Sequence, residues 1–88
     1  MLFRSLVADL RGASSGPARG AALEPLSPRE REVFLLVARG LTNAEIAEAE
    51  YVSEATVKSH IAAILRKLGL RSRVQVVVFA HQNGLVSV

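Results

Sequence analysis

The chain has no cysteine and no tryptophan, and its aromatics are three phenylalanines and one tyrosine in 88 residues. Without thiols there can be no disulfide and no thiolate metal site, which fits a reducing cytoplasm. The two histidines, His60 and His81, are too few and too distant for a metal centre. No glycine-rich phosphate loop or paired-carboxylate site occurs, so neither catalysis nor a cofactor is expected. So few aromatics leave little surface on which to stack single-stranded bases, which argues against RNA. No apolar run reaches the roughly 18 to 20 residues of a membrane span, and Arg4 and Asp9 interrupt the start too early for a signal peptide.

The sharpest absence is of acid beyond Glu54. Residues 1–54 hold six arginines against eight carboxylates, a balance of −2, whereas residues 55–88 hold Lys58, Arg66, Lys67, Arg71 and Arg73 with no acid, a balance of +5. A one-sided positive field is what phosphate binding needs. Five bases on a solvated surface are the plain alternative, but their clustering between Lys58 and Arg73 favours phosphate.

The length allows one small domain with a tail, and an apolar half suffices for a modest core. Residues 1–25 read as a linker. Within it Leu2, Phe3, Leu6, Val7 and Leu10 have the spacing of a short amphipathic helix, and residues 12–22 are Gly, Ala, Ser, Pro and Arg without period. The domain itself is expected over residues 26–86, as an all-α unit of four helices. Ser27-Pro28-Arg29-Glu30 is a capping box with proline at the first helical position, and Val33, Leu36 and Val37 form the inward stripe. Gly40 suits a left-handed stop. Thr42 and Glu45 make a second box with Leu41 and Ile46 as its staple, opening a helix that ends near Ala49 or Glu50. After Tyr51-Val52, Ser53 caps a third helix with Val52 and Val57 as staple. Ser72 and Gln75 read as a further box, opening a fourth helix that ends near Asn83-Gly84.

Helix, short turn, helix over residues 42–68 is the helix-turn-helix pattern, in which the second member lies in the major groove. On that helix Val57, Ile61, Ile64, Leu65 and Leu68 share one stripe. The other side carries Ala55, Ser59, Ala62, Ala63 and Arg66, flanked by Lys58 and Thr56. An ordinary solvated face would carry long Glu and Lys pairs. Small residues instead let the axis approach base edges, where lysine reaches guanine acceptors and alanine meets a thymine methyl. The alternative is a solvent face that happens to be rich in alanine.

The fourth helix is apolar nearly all round, which requires a second burial surface. A symmetric homodimer contact through Val74, Val77, Val78 and His81 is expected. A β-branched run also suits a buried strand, but the cap and the lack of a partner strand oppose that reading.

Leu26-Ser27-Pro28-Arg29-Glu30-Arg31-Glu32-Val33, Gly40-Leu41-Thr42-Asn43-Ala44-Glu45-Ile46-Ala47, Val52 to His60 and Lys67 to Arg73 closely resemble the DNA-binding domain of the LuxR family of bacterial transcription regulators. The likeness runs in order and without gaps over about residues 26–86. It implies a four-helix domain, with the third helix (about residues 53–68) in the major groove and dimers on inverted repeats through the fourth. In the family the positions matching Lys58 and Ser59 commonly reach bases, and Ala55 and Ala62 occupy positions that do so in some members. Thr42, Asn43, Ser53, Thr56, Arg66 and Lys67 match positions beside phosphates, which fix register without reading sequence. Alanine at 55 and 62 departs from members with long polar residues there, and shifts readout toward Lys58, methyl contacts and DNA shape. A second departure is Glu50, where apolar residues are usual. Its charge opposes both the helix dipole and burial, so Glu50 must either reach solvent or pair with a cation from outside its own helix.

The partners these readings imply are double-stranded DNA, a second copy of the chain and, as a further candidate, RNA polymerase. Members normally carry an N-terminal receiver or sensing domain, and residues 1–22 resemble the linker that would follow one. The rival reading keeps the fold as a protein-interaction or dimerisation module that reads no sequence.

Overall fold

The computed structural model describes residues 21–86, and the amphipathic segment suggested for residues 2–11 lies outside them. Four helices follow one another: α1 (Pro28–Ala38), α2 (Asn43–Glu50), α3 (Glu54–Leu68) and α4 (Arg73–Gln82). Among the described residues there is no strand, so the β-branched run of α4 is helical.

Local chemistry starts each helix. The Ser27 hydroxyl accepts from the Glu30 amide at 3.2 Å, and Glu30 Oε1 accepts from the Ser27 amide at 2.9 Å. Thr42 and Glu45 repeat the exchange at 3.1 and 2.8 Å. Each reciprocal pair satisfies two donors that the first turn leaves unpaired. The box expected at Ser72 is only half formed. Ser72 accepts from the Gln75 amide at 3.4 Å, but the Gln75 carboxamide turns to the amide of Arg71, one residue upstream. The extended backbone at Ser72, with φ −152°, brings the Arg71 amide within its reach in place of its own.

Ends are set by left-handed residues. Gly69 closes α3 at φ +68°, a conformation that glycine adopts without penalty. Tyr51 closes α2 at φ 59°, and it is the only non-glycine with positive φ among the described residues.

The core is drawn from all four helices: Val33, Phe34 and Val37, then Ile46, Val57, Ile64, Val76 and Ala80, each at most 1 % exposed. It also takes in Leu23, from the helical turn at residues 21–23, and Leu26. Burying Phe34 alone contributes about 2–3 kcal/mol, and its ring meets Phe79 edge-on at 6.0 Å and 85°. Helix α1 is the hub, packed on α3 and α4, while α2 packs chiefly on α3.

Three polar links reinforce this packing. Lys67 of α3 donates to Glu30 of α1 at 2.8 Å. Arg29 of α1 donates to the Glu50 carboxylate at 3.1 Å and to its backbone carbonyl at 3.2 Å, the cation from outside α2 that the position of Glu50 called for. Arg73 of α4 donates to Asn43 Oδ1 and to the Leu41 carbonyl. Each helix of the helix-turn-helix pair is thus tied to an element outside the pair.

Candidate nucleic-acid interface

Helix α3 is held by one side and free on the other. Val57 and Ile64 are fully buried, and Ile61, Leu65 and Leu68 are half-buried against the core. Ala55, Lys58, Ser59, Ala62 and Arg66 are all exposed, and Thr56 and Ala63 are half-buried at the border. The outward face is therefore a strip of methyl and hydroxyl groups with two cations, Lys58 and Arg66, among them. Among the described residues neither Lys58 nor Arg66 has a carboxylate within salt-bridge distance. Within the described residues both charges face solvent, where an external anion could meet them.

The flanking polar residues differ in what they still have to offer. Ser53 Oγ accepts from the Thr56 amide at 3.1 Å and donates to Thr56 Oγ1 at 3.0 Å, which leaves the Thr56 hydroxyl proton free to turn outward. Thr42 Oγ1 serves as an acceptor in its box and likewise keeps its proton. Asn43 is oriented by Arg73, whose guanidinium takes the amide oxygen and leaves the NH2 group to donate. Lys67 sits apart from this set. Its ammonium is already engaged by Glu30, and the two side chains are only 34 % and 11 % exposed. That ammonium, followed by the Ser27 amide, holds the Glu30 carboxyl below its ordinary range.

Glu50 is shifted the other way. Burial first and the nearby Glu32 carboxylate second push its pKa up, against the opposing pull of Arg29. On α4 the sequence-derived contacts Val74, Val77, Val78 and His81 lie on one stripe turned from the core. Val74 is 70 % and Val78 46 % exposed, His81 is exposed and Val77 half-buried. A shallow groove beside Val78, lined by Gly69, Leu70, Gln75 and Phe79, adjoins the stripe.

Sequence reasoning did not mark Arg29, Glu30 or Arg73 as supports of this surface, nor Tyr51 as its exposed corner. The ties of these three residues span 21 to 37 positions, and no local pattern announces them.

Residues 24–80, which include this helix pair, match the family model described as "Bacterial regulatory proteins, luxR family". The chain belongs to the luxR family of bacterial regulatory proteins. As a LuxR-type helix-turn-helix domain it is the DNA-binding part of a transcription regulator, and its family is not one of enzymes. It is similar to the response regulator protein VraR of Staphylococcus aureus, Staphylococcus saprophyticus and Staphylococcus epidermidis, in each case 43 % identical over 68 residues. Those residues are 77 % of this chain and 32 % of each relative, so the LuxR-type domain spans about a third of the length of the curated relatives it matches. Among the described residues no helix is long and apolar enough to cross a membrane.

Proposed function

We propose that the domain, residues 26–86 with Leu23 of the preceding segment packed into its core, reads double-stranded DNA with α3 in the major groove. It binds inverted repeats as a dimer joined through α4, acts in the cytoplasm and regulates transcription, with RNA polymerase a further candidate partner. The observation that carries this reading is the exposed face of α3. Ala55, Ser59 and Ala62 let the backbone approach base edges, and unpaired Lys58 supplies the donor that guanine O6 and N7 accept. Ala55 and Ala62 add methyl contacts to thymine. Thr42, Asn43, Ser53, Thr56 and Arg66 fix register on the phosphates. Lys67 joins them chiefly by holding α3 on α1 through Glu30.

Selection of bound duplexes from a random-sequence pool at roughly physiological salt, where non-specific attraction is weak, tests the reading. The expected result is enrichment of an inverted repeat. Lys58→Ala should then lower affinity for that repeat by about 1–3 kcal/mol and relax preference at one base pair of each half-site. Lack of enrichment by folded protein would instead support the interaction module.

A further inference from the structure

Tyr51 is 94 % exposed, the most exposed of the large apolar side chains among the described residues, and its backbone is left-handed at φ 59°, ψ 43°. Glycine, or failing that asparagine, is the residue that this conformation favours. A tyrosine here gains nothing from burial and sits in a backbone state that disfavours it. A fold stabilised for its own sake would carry glycine at this C-cap, as it does at Gly69. An outlier of this kind beside a binding surface points to a role in binding.

Its position says which. Tyr51 precedes Ser53, the N-cap of α3, by two residues. In a helix-turn-helix complex the N-terminal end of the reading helix lies over the base edges. Two residues of chain reach at most about 7 Å, while half the width of the major groove is about 6 Å. With the start of α3 in the groove, Tyr51 is within reach of its phosphate wall. Val52, next in the chain, is half-buried against the core and anchors the turn, so Tyr51 is presented from a fixed point. The left-handed backbone keeps the side chain out of the core.

We propose that the Tyr51 hydroxyl donates a hydrogen bond to a phosphate oxygen of the strand that borders α3, and so acts as a positioning residue that sets how deeply the reading helix sits. The proposal rests on the DNA reading above. The contact is neutral and sequence-independent, and it displaces no counterion. It therefore strengthens specific and non-specific binding alike without altering salt dependence, unlike a contact from lysine or arginine.

The test compares the unaltered protein with Tyr51→Phe and Tyr51→Gly on the selected duplex and on a random one, each over a range of salt, beside thermal unfolding of all three. Both variants should lose three- to tenfold in affinity on both duplexes with an unchanged salt slope, although Tyr51→Gly unfolds at a higher temperature. Undiminished affinity in both variants overturns the proposal. A loss in Tyr51→Gly alone also overturns it, in favour of ring packing on the sugar. If the unaltered protein fails to bind either duplex, the DNA reading itself falls and this contact with it.

Discussion

Glu30 and Glu50 show how one side-chain chemistry is turned to opposite effect by its neighbours. Glu30 is 8 % exposed, but its carboxylate accepts from both the Ser27 amide and the Lys67 ammonium. Its pKa is lowered from 4.5, so its contribution to stability is present above that value and is lost as pH falls through the folded pKa. Lys67→Met should destabilise the domain by about 1 kcal/mol near neutral pH, a figure reduced for the partial exposure of the lysine. Thermal unfolding of the variant and parent should converge in acid, once Glu30 is protonated in both. If the two curves stayed equally far apart at every pH, the ion pair would contribute nothing and packing of the lysine stem would account for the loss. The same variant should change the salt dependence of DNA binding less than Arg66→Ala, which removes an unpaired cation and should reduce the slope by about 0.9. Glu50 carries the reverse sign. Its pKa is raised, so the stability linked to its protonation is present below 4.5 and is lost as pH rises through the folded value. Glu50→Leu should raise stability at neutral pH by about 1 kcal/mol, or about 4–8 °C in melting temperature. The exposed Arg29 is left to water, and the gain should fade in acid. A lower melting temperature at neutral pH would mean that the Arg29 link outweighs burial.

At the scale of the element, Tyr51 and Gly69, two of the left-handed residues that end helices, make a natural comparison. Gly69 has open space around the position of a Cβ, so Gly69→Ala meets no clash and its cost is purely the backbone's preference. That cost should be about 1 kcal/mol, read as a fall in denaturation midpoint with unchanged slope. A neutral result would mean that the turn relaxes to a right-handed end. What was legible in the sequence divides along the same line. Caps, staples and inward stripes are rules over three or four residues. Ser27, Thr42 and Ser53, with Val33, Ile46, Val57 and Ile64, therefore placed three helix starts and much of the core. The order of the elements and the outward strip of α3 follow from the same periodicity. Gln75 misled because a glutamine at the third position satisfies the pattern of a box whichever nearby amide it reaches. Phe34 escaped the list of inward residues because it extends the Val33–Val37 stripe sideways toward Phe79, on a helix not yet placed in space. Tyr51 stayed hidden because only the tightness of the turn between α2 and α3 forces a left-handed residue there, and the chain supplies no glycine to signal it.

For the whole molecule, the proposed binding of an inverted repeat would ask an 88-residue chain with one small core to pair its copies through a limited surface. The stripe Val74, Val77, Val78, His81 spans eight residues of helix, about 10 Å along the axis. A contact confined to two such short stripes should bury less than the 1,200 Å² or so of a stable interface. The contact should therefore be weak in free solution and become effective when DNA holds two copies side by side, where the second binds at a raised effective concentration. The expected behaviour is a monomer at micromolar concentration without DNA and cooperative occupation of an inverted repeat. Val78→Glu places like charges across a two-fold contact and adds a desolvation cost, since the same position meets its own copy or a near neighbour. It should abolish cooperativity on the full repeat and leave affinity for a single half-site within about twofold, because α3 is untouched and surface substitutions of this kind shift stability by only about 0.5 kcal/mol. Gel-shift titrations on whole and half sites, with sedimentation of the free protein, separate the outcomes. Equal cooperativity in parent and variant would remove α4 from the interface and assign the pairing of half-sites to some other surface, while a fall in half-site affinity would show that the variant disturbs α3 itself.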